Sequence, residues 1–307
     1  MEISVVIPVY NEEGNVRILH SEIKKVMDSL GKKYEIMFVD DGSNDNTFNE
    51  LAKLNAKTIK FRKNFGQTAA LAAGFEHAKG NVIVTMDGDL QNDPKDIPVL
   101  LAKINEGYDV VSGWRVNRHD TFGKKLASKI ANRMRRVLIN ERIHDSGCAL
   151  KAYKKECLSD IDLMGEMHRY LPAILGWKGF KIGEVKVNHR PRSHGRTKYG
   201  TARIVKGFMD LLNVLFWKKY SNRPLHVFGG LGLVLTTLGF LMGIGLLIAR
   251  QFFHYSLGAS QLPLLAVLMA VIGIQFFISG LMADISIKNY YKNGRKTYSI
   301  EKIVEKK

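Results

Sequence analysis

Only two of the 307 residues are cysteine, Cys148 and Cys157. Neither falls in a Cys-x-x-Cys or Cys/His ligand spacing, so both read as ordinary thiols and a reducing compartment is expected. No basic stretch precedes the first apolar run, and no signal peptide is expected. Acidic residues are scarce beside basic ones, 29 against 46, giving a net charge of +17. Such an excess points to an anionic partner: nucleic acid, an acidic membrane surface or phosphate substrates. Zinc-finger spacing and RNA-binding signatures are both missing, which sets nucleic acid aside. The basic stretches flank apolar segments, and that favours membrane phosphates.

Charge is also absent from two long stretches. Leu225–Ala249 and Leu262–Ala283 contain no Asp, Glu, Lys or Arg. Each is long enough to cross a hydrocarbon core of about 30 Å, and Arg250–Gln261 is a short connection, so an antiparallel transmembrane hairpin is expected. Lys218, Lys219 and Arg223 precede it and Lys288, Lys292, Arg295 and Lys296 follow it, whereas the connection offers only Arg250. The positive-inside rule then puts both termini and everything before residue 224 in the cytoplasm. Gly239 and Gly243 form a Gly-xxx-Gly pair suited to close helix packing, and a homo-oligomer through the hairpin stays open. Ile204, Phe208, Leu211, Leu212 and Leu215 recur at helical spacing within 201–223, which reads as an amphipathic helix in the membrane interface. A second basic amphipathic pattern runs from Phe122 to Ile139.

The first half of the chain alternates strand-like and helix-like segments. Apolar runs at Ile3–Ile7, Ile36–Val39 and Val82–Val84 read as buried strands. Helical patterns follow at Glu12–Leu30, Asn44–Leu54, Gln67–Lys79 and Pro94–Glu106. Alternation of this kind predicts right-handed β-α-β units and a mainly parallel sheet. Ligands of such sheets bind beyond the carboxyl ends of the strands. Three of those ends carry acids: Tyr10-Asn11-Glu12, Asp40-Asp41-Gly42-Ser43 and Asp87-Gly88-Asp89-Leu90-Gln91. Asn11 and Ser43 also read as helix caps. In an extended segment Asp87 and Asp89 share a face, with Gln91 placed to join them. Two hard oxygen ligands on one face suit Mg²⁺ or Mn²⁺, and a nucleotide diphosphate with its metal would compensate the clustered carboxylates.

Five ordered motifs carry a family resemblance: Val6-Ile7-Pro8-Val9-Tyr10-Asn11-Glu12, Val39–Ser43, Arg62-Lys63-Asn64-Phe65-Gly66-Gln67, Asp87–Gln91 and Asp145-Ser146-Gly147-Cys148. The chain resembles inverting glycosyltransferases of the large GT-A, family-two group. It is most similar to the polyprenyl-phosphate glycosyltransferases, such as dolichyl-phosphate mannose synthases and bactoprenol glucosyltransferases. The resemblance implies an α/β GT-A catalytic domain over residues 1–200. An interfacial helix (201–223), a transmembrane hairpin (224–287) and a basic tail (288–307) would follow. It also implies a UDP- or GDP-sugar donor, a polyprenyl or dolichyl phosphate acceptor, and Mg²⁺ or Mn²⁺ as cofactor.

Roles follow on those positions. Asp89 is expected to touch the metal directly, with Asp87 and Gln91 assisting. Asp40 and Asp41 would hold the base and ribose; Pro8, Tyr10, Glu12 and Gly88 would line the nucleotide pocket with Asp87. Residues 189–200, HRPRSHGRTKYG, read as a basic loop whose Arg192, Arg196 and Lys198 would grip the donor diphosphate, the lipid phosphate or both. Arg115, Lys124 and Ser128 match lipid-phosphate positions, although relatives have Arg where this chain has Lys124. Asp145 and Glu166 read as groups that orient either the sugar or a basic partner. His144, His168 and His189 are not spaced as a metal set. A lipid phosphate is already ionised, so no general base is required, and catalysis rests on stabilising the leaving group. Two rival readings remain open here. A processive polysaccharide synthase would carry Gln-x-x-Arg-Trp, which does not occur; a non-catalytic nucleotide-sugar-binding scaffold would not need intact acids at all three strand ends.

Overall fold

The computed structural model describes residues 1–116, 143–191 apart from 160, 162, 164 and 166, and 224–292 apart from 254 and 255. Lys124, Ser128, Glu166, Arg192, Arg196, Lys198 and both amphipathic patterns (122–139 and 201–223) therefore lie outside the described residues. The chain divides into two units, residues 1–214 with 299–307, and residues 215–298.

The first unit is built on a seven-stranded mixed sheet. Its strands are β1 (Ile3–Val9), β2 (Tyr34–Asp40), β3 (Lys57–Lys60), β4 (Val82–Thr85), β5 (Val110–Arg115), β6 (Lys151–Lys154) and β7 (Ile182–Val187), in the order β3-β2-β1-β4-β6-β5-β7. Only β6 runs against its neighbours, pairing antiparallel with both β4 and β5. The helices are α1 (Val16–Ser29), α2 (Thr47–Leu51), α3 (Gln67–His77), α4 (Ile97–Asn105) and α5 (Leu171–Trp177).

Sidedness follows from the two-residue period of the strands. Val5, Ile7 and Val9 of β1 face one core with Phe38, Val84 and the α1 and α4 residues Leu19, Ile23, Ile97 and Leu100. Val6, between them, faces the other core with Met37, Ile83 and Leu71 of α3. A strand covered on both faces reads as an unbroken apolar run, which is why β1 was so legible. Helix α1 buries Val16, Leu19, His20, Ile23 and Met27, a single stripe at helical spacing.

One strand boundary and one helix boundary differ from expectation, each for its own reason. β1 continues past the expected Ile3–Ile7 through Pro8 to Val9. Residues Val6 and Pro8 face the β4 side, and pairing there has already ended with Met86 N–H donating to the Val6 carbonyl (3.3 Å). The missing N–H of Pro8 therefore leaves no ladder bond unmade. On the β2 side Pro8 and Val9 keep their register with Val39 and Asp40. Helix α2 is shorter than 44–54 because the Asp45 carboxylate accepts from Thr47 N–H (3.0 Å) and sets the start there.

The second unit is a helical hairpin, α6 (Pro224–Phe253) and α7 (Leu262–Lys292). At 30 and 31 residues each helix is about 45 Å long, beyond the about 30 Å of a hydrocarbon core. Both outrun the expected spans, and the connection is shorter than Arg250–Gln261 because α6 persists to Phe253. Most of the large side chains are exposed, including Leu233, Phe240, Leu247, Leu264, Val267 and Val271. The helices meet through small residues instead. A Cβ on Gly239 would sit 2.7 Å from the Ala266 carbonyl and Ala270 N, and one on Gly273 would sit 2.5 Å from Thr236 N and 2.6 Å from the Gly232 carbonyl. Gly243 faces open space, so the Gly239/Gly243 pair is not the contact. The seam on α6 is Gly232, Thr236 and Gly239, and on α7 Ala266, Ala270 and Gly273. Gly273→Leu should force the hairpin apart, whereas Gly243→Leu should leave it intact. The melting temperature of detergent-solubilised protein checks this: a clear loss for the first and none for the second.

Candidate active site

Parallel strands bring their carboxyl ends to one edge, and the antiparallel β6 brings its amino end there. Tyr10 after β1, Asp40 at the end of β2 with Asp41 beyond it, Asp87 after β4, Arg115 ending β5 and Lys151 starting β6 all reach this edge. Lys151 is in register with Thr85 on one side and Ser112 on the other.

The loops after β1 and β2 interlock. Asn11, held at φ 53°, donates its N–H to Ser43 Oγ (2.9 Å), and its Oδ1 accepts from Asn44 N–H (2.9 Å). Glu12 N–H donates to Thr47 Oγ1 (2.8 Å), and Glu12 Oε2 accepts from Asn15 Nδ2 (2.6 Å). Asn11 and Ser43 thus stitch two loops together and cap no helix; Asn15 occupies the α1 N-cap position. Asp40 is fully buried. Its Oδ1 accepts from Ser43 N–H (2.9 Å), and its Oδ2 has no hydrogen-bond partner. An orphaned carboxylate oxygen in a low-dielectric site is costly unless a donor arrives. Asp41 was expected to hold ribose, but its carboxylate accepts from Phe65 N–H (2.7 Å) and Gly66 N–H (2.9 Å). Its work is to fix the Arg62–Gly66 loop. Burial pushes the Asp41 carboxyl up, and these two N–H groups pull it back. Gly42 is required where this loop comes close: a Cβ there would lie 2.7 Å from Asn64 N at a φ of +71°.

Asp87 and Asp89 lie within electrostatic range of one another, on a turn rather than on the pleat of an extended strand. β4 ends at Thr85, and Gly88 and Asp89 form a turn. Gly88 is needed because a Cβ would lie 2.6 Å from Val9 Cγ1. Leu90 then adopts φ 63°, a left-handed conformation that costs a non-glycine residue roughly 1–2 kcal/mol. It is held by burial of its side chain and by Gln91 N–H donating to Asp89 Oδ1 (3.1 Å). Asp87 Oδ1 accepts from Gln67 Nε2 (2.7 Å). Burial, and after it the neighbouring Asp89 charge, pushes the Asp87 carboxyl up to about 6. Arg115 and Lys151 oppose that rise.

Cations stand behind the acids. Arg115 holds Asp145 through a two-pronged ion pair, Nε to Oδ2 at 2.7 Å and Nη2 to Oδ1 at 2.9 Å. Burial draws the guanidinium down, but the Asp145 carboxylate raises it further. Asp145 therefore orients a basic partner. Arg115, expected at the acceptor phosphate, commits two of its five donors to this pair first. Lys151 is buried, and its ammonium donates to the carbonyls of Ser146 (3.1 Å) and Cys148. Burial lowers its affinity for the proton. Gln67 and Lys151 were not singled out from sequence. Gln67 closes the quoted Arg62–Gln67 motif, and Lys151 is a lone charge inside the apolar Cys148–Tyr153 run, which was the available signal. His144 stacks on Trp114 (4.3 Å) and pairs with Glu184, while His168 bonds Thr68 Oγ1.

Among the described residues no three His, Cys, Asp or Glu side chains are grouped to cage a metal. The Asp87–Asp89 pair fits an ion that takes its other ligands from a substrate, as Mg²⁺ and Mn²⁺ do with phosphates. The mutual repulsion of the two carboxylates is the strain such an ion would relieve.

The raised Asp87 value has a definite sign. The folded chain holds the Asp87 proton more tightly than the unfolded chain does. Asp87 is therefore harmless below about 4. It costs stability as the pH climbs toward about 6, where it ionises in the fold. Asp87→Asn should raise the melting temperature of the metal-free protein at pH 7.5, by roughly 2–4 °C per kcal/mol relieved. It should change little at pH 4. A pH series of thermal melts in chelator reads both ends.

With this geometry in place, the chain can be set beside known proteins. The glycosyl transferase family 2 profile matches residues 4–162. The dodecaprenyl-phosphate galacturonate synthase of Rhizobium johnstonii (strain DSM 114642 / LMG 32736 / 3841) is 37% identical over 303 residues, 95% of this chain and 90% of that protein. Glucosyl-3-phosphoglycerate synthase from Mycobacterium tuberculosis has a similar fold. Its complex with Mn²⁺, uridine diphosphate and glucosyl-3-phosphoglycerate gives a TM-score of 0.58 at 18% identity, covering 71% of this chain and 79% of that one. Its complex with Mg²⁺ and uridine diphosphate gives 0.56 at 17% identity over the same shares. The sheet, the turn between its aspartates and the extent of these matches lead to one assignment: the chain is a GT-A-fold glycosyltransferase and belongs to glycosyl transferase family 2.

Proposed function

We propose that this glycosyltransferase moves a sugar from a UDP- or GDP-sugar to a polyprenyl phosphate at the cytoplasmic face of a membrane, with inversion at the anomeric carbon. The observation that carries the reading is the Asp87-Gly88-Asp89 turn, whose Asp87 lies within electrostatic range of Asp89, Arg115 and Lys151. The hairpin supplies the reason for a lipid acceptor: two helices of mean hydropathy 2.3 and 2.4, each long enough to span a bilayer. Lysines and arginines that flank the two helices in the sequence support a cytoplasmic catalytic unit by the positive-inside rule. The relative at 37% identity is named for a polyprenyl-phosphate sugar, and its galacturonate makes a UDP-hexuronate the first donor to test.

Each residue then has a task. The unpartnered Asp40 Oδ2 accepts an N–H from the base, which uracil (N3) and guanine (N1) both carry. Asp41 keeps the Arg62–Gly66 loop against the nucleotide. Pro8, Tyr10, Glu12 and Gly88 shape the floor, with Gly88 allowing close approach. Asp87, Asp89 and Gln91 would hold Mg²⁺ or Mn²⁺, which when bound offsets the negative charge of the leaving diphosphate. An oxygen of the acceptor phosphate attacks the anomeric carbon. The bond from that carbon to the diphosphate breaks, and its electron pair leaves with the nucleotide. No proton has to move. Arg192, Arg196 and Lys198, with the remaining donors of Arg115 and with Lys124 and Ser128, draw the lipid phosphate into line.

Membranes containing the enzyme, incubated with labelled nucleotide sugars, should place label in an acid-labile lipid. Label in a long polymer, or tight binding without turnover, refutes the proposal. Asp89→Ala should cut transfer by on the order of 10³-fold without lowering the melting temperature. Full turnover at saturating Mg²⁺ refutes the metal role. Replacing Arg192, Arg196 and Lys198 together with alanine should raise the KM for a short polyprenyl phosphate at least about 10-fold, since each interacts with phosphate as a cation. Unchanged acceptor kinetics would remove those residues from the site.

A further inference from the structure

The turn between the aspartates is held from outside by a residue that no part of the proposed chemistry uses. Beyond β7 the chain runs through Asn188, His189 and Arg190 alongside Gln91–Asp96, the segment that leaves the turn. Arg190 N–H donates to the Gln91 carbonyl (2.9 Å), and His189 forms an antiparallel bridge with Asn92. Asn188 N–H and Nδ2 donate to the two oxygens of Asp96 (2.7 and 3.0 Å). The Arg190 guanidinium then spans two elements. Its Nη2 meets Asp93 Oδ1 at 2.6 Å, and its Nη1 meets both oxygens of Glu22 on α1 at 2.8 and 3.0 Å. Asp93 Oδ1 also accepts from Lys95 N–H (3.0 Å), fixing the short turn that follows. At the other end of the same segment, Asn92 Oδ1 accepts from Asp87 N–H (3.4 Å).

We infer that Arg190 is a positioning residue for the metal-binding turn: by clamping Asp93 and the Gln91 carbonyl, it holds Leu90 in its left-handed conformation and keeps Asp89 and Gln91 aimed at the ion. Leu90 is one of two non-glycine residues with positive φ among those described, so the turn needs restraint on its far side. The Gln91 N–H to Asp89 bond supplies one anchor and the Arg190 clamp the other. A lysine cannot replace it, because a point charge on a single stem cannot serve Asp93 and Glu22 at once. The chain passes from Arg190 through Pro191 to Arg192.

The inference rests on the divalent-metal reading of Asp87 and Asp89, and the test separates the two. Mn²⁺ binding to the full-length, detergent-solubilised protein is titrated by electron paramagnetic resonance with UDP present, alongside thermal melts. Arg190→Gln and Asp93→Asn should each weaken Mn²⁺ binding about 10-fold, the scale expected for a partner one step removed from the ligands. Asparagine keeps the oxygen that caps Lys95, so Asp93→Asn removes only the charge. The double variant should be no worse than either single, because the two act as a unit. Glu22→Gln, which loosens α1 but spares Asp93, should leave Mn²⁺ binding within about twofold, as a surface pair does. Normal Mn²⁺ binding by folded Arg190→Gln overturns the inference alone, as does an equal loss in Glu22→Gln. Should Arg190→Gln fail to fold, the contrast between Asp93→Asn and Glu22→Gln decides. A wild-type protein that takes up no Mn²⁺ overturns this inference and the metal reading together.

Discussion

Crowding of negative charge at one sheet edge is the constraint on which the rest of the molecule depends. Parallel strands deliver Asp40, Asp41, Asp87 and Asp89 to the same edge whether or not their charges suit one another. The fold meets the difficulty locally and differently at each acid. Asp41 is answered by two backbone N–H groups, Asp145 by Arg115, and Asp87 by one amide and two more distant cations. What is left over is the Asp87–Asp89 repulsion and the orphaned oxygen of Asp40. Both leftovers call for a ligand, the first for a cation and the second for a hydrogen-bond donor. A metal-bound nucleotide brings both in one molecule.

The antiparallel β6 is what makes this possible. Were it parallel to β4, residue 151 would enter the sheet at the far edge, some four residues from the acids. Reversed, it starts at the site, and the turn that precedes it carries Asp145 to Arg115. The buried Lys151 ammonium ties that turn shut by donating to its carbonyls. A buried cation without a direct ion pair is costly in isolation, so its position beside Asp87 and Asp145 gives it an electrostatic as well as a structural reason.

Legibility in the sequence tracked the range of the interactions. Strands β1, β2 and β4 were legible because each is a short apolar run with acids at its end, a local signal. Bringing the three acidic ends to one edge required only the alternation rule. Failures came where distant partners decide. The aspartates converge through a glycine turn because Val9 leaves room for no Cβ, and nothing between residues 86 and 91 announces that. Asn11 and Ser43 have the composition of caps, yet each bonds the other's loop across about thirty residues. Gly239 and Gly243 have the right spacing for a helix contact, but only one of them faces the partner. The real seam is recognisable once the smaller residues of both helices are set opposite one another.

The same logic explains why an acidic active site belongs in so basic a chain. A hydroxyl acceptor would need a base and would approach neutral; a lipid phosphate approaches with its charge already formed. Such an acceptor must be drawn toward carboxylates and a diphosphate that both repel it, so the surrounding surplus of positive charge has to exceed what the acids consume. Arg115 and Lys151 show how far inward that surplus reaches, since Lys151 is buried, Arg115 is half-buried and both lie within electrostatic range of Asp87. Under the proposed function the surplus of positive charge would gather the acceptor, while Arg115 and Lys151 oppose the rise that burial imposes on the Asp87 carboxyl.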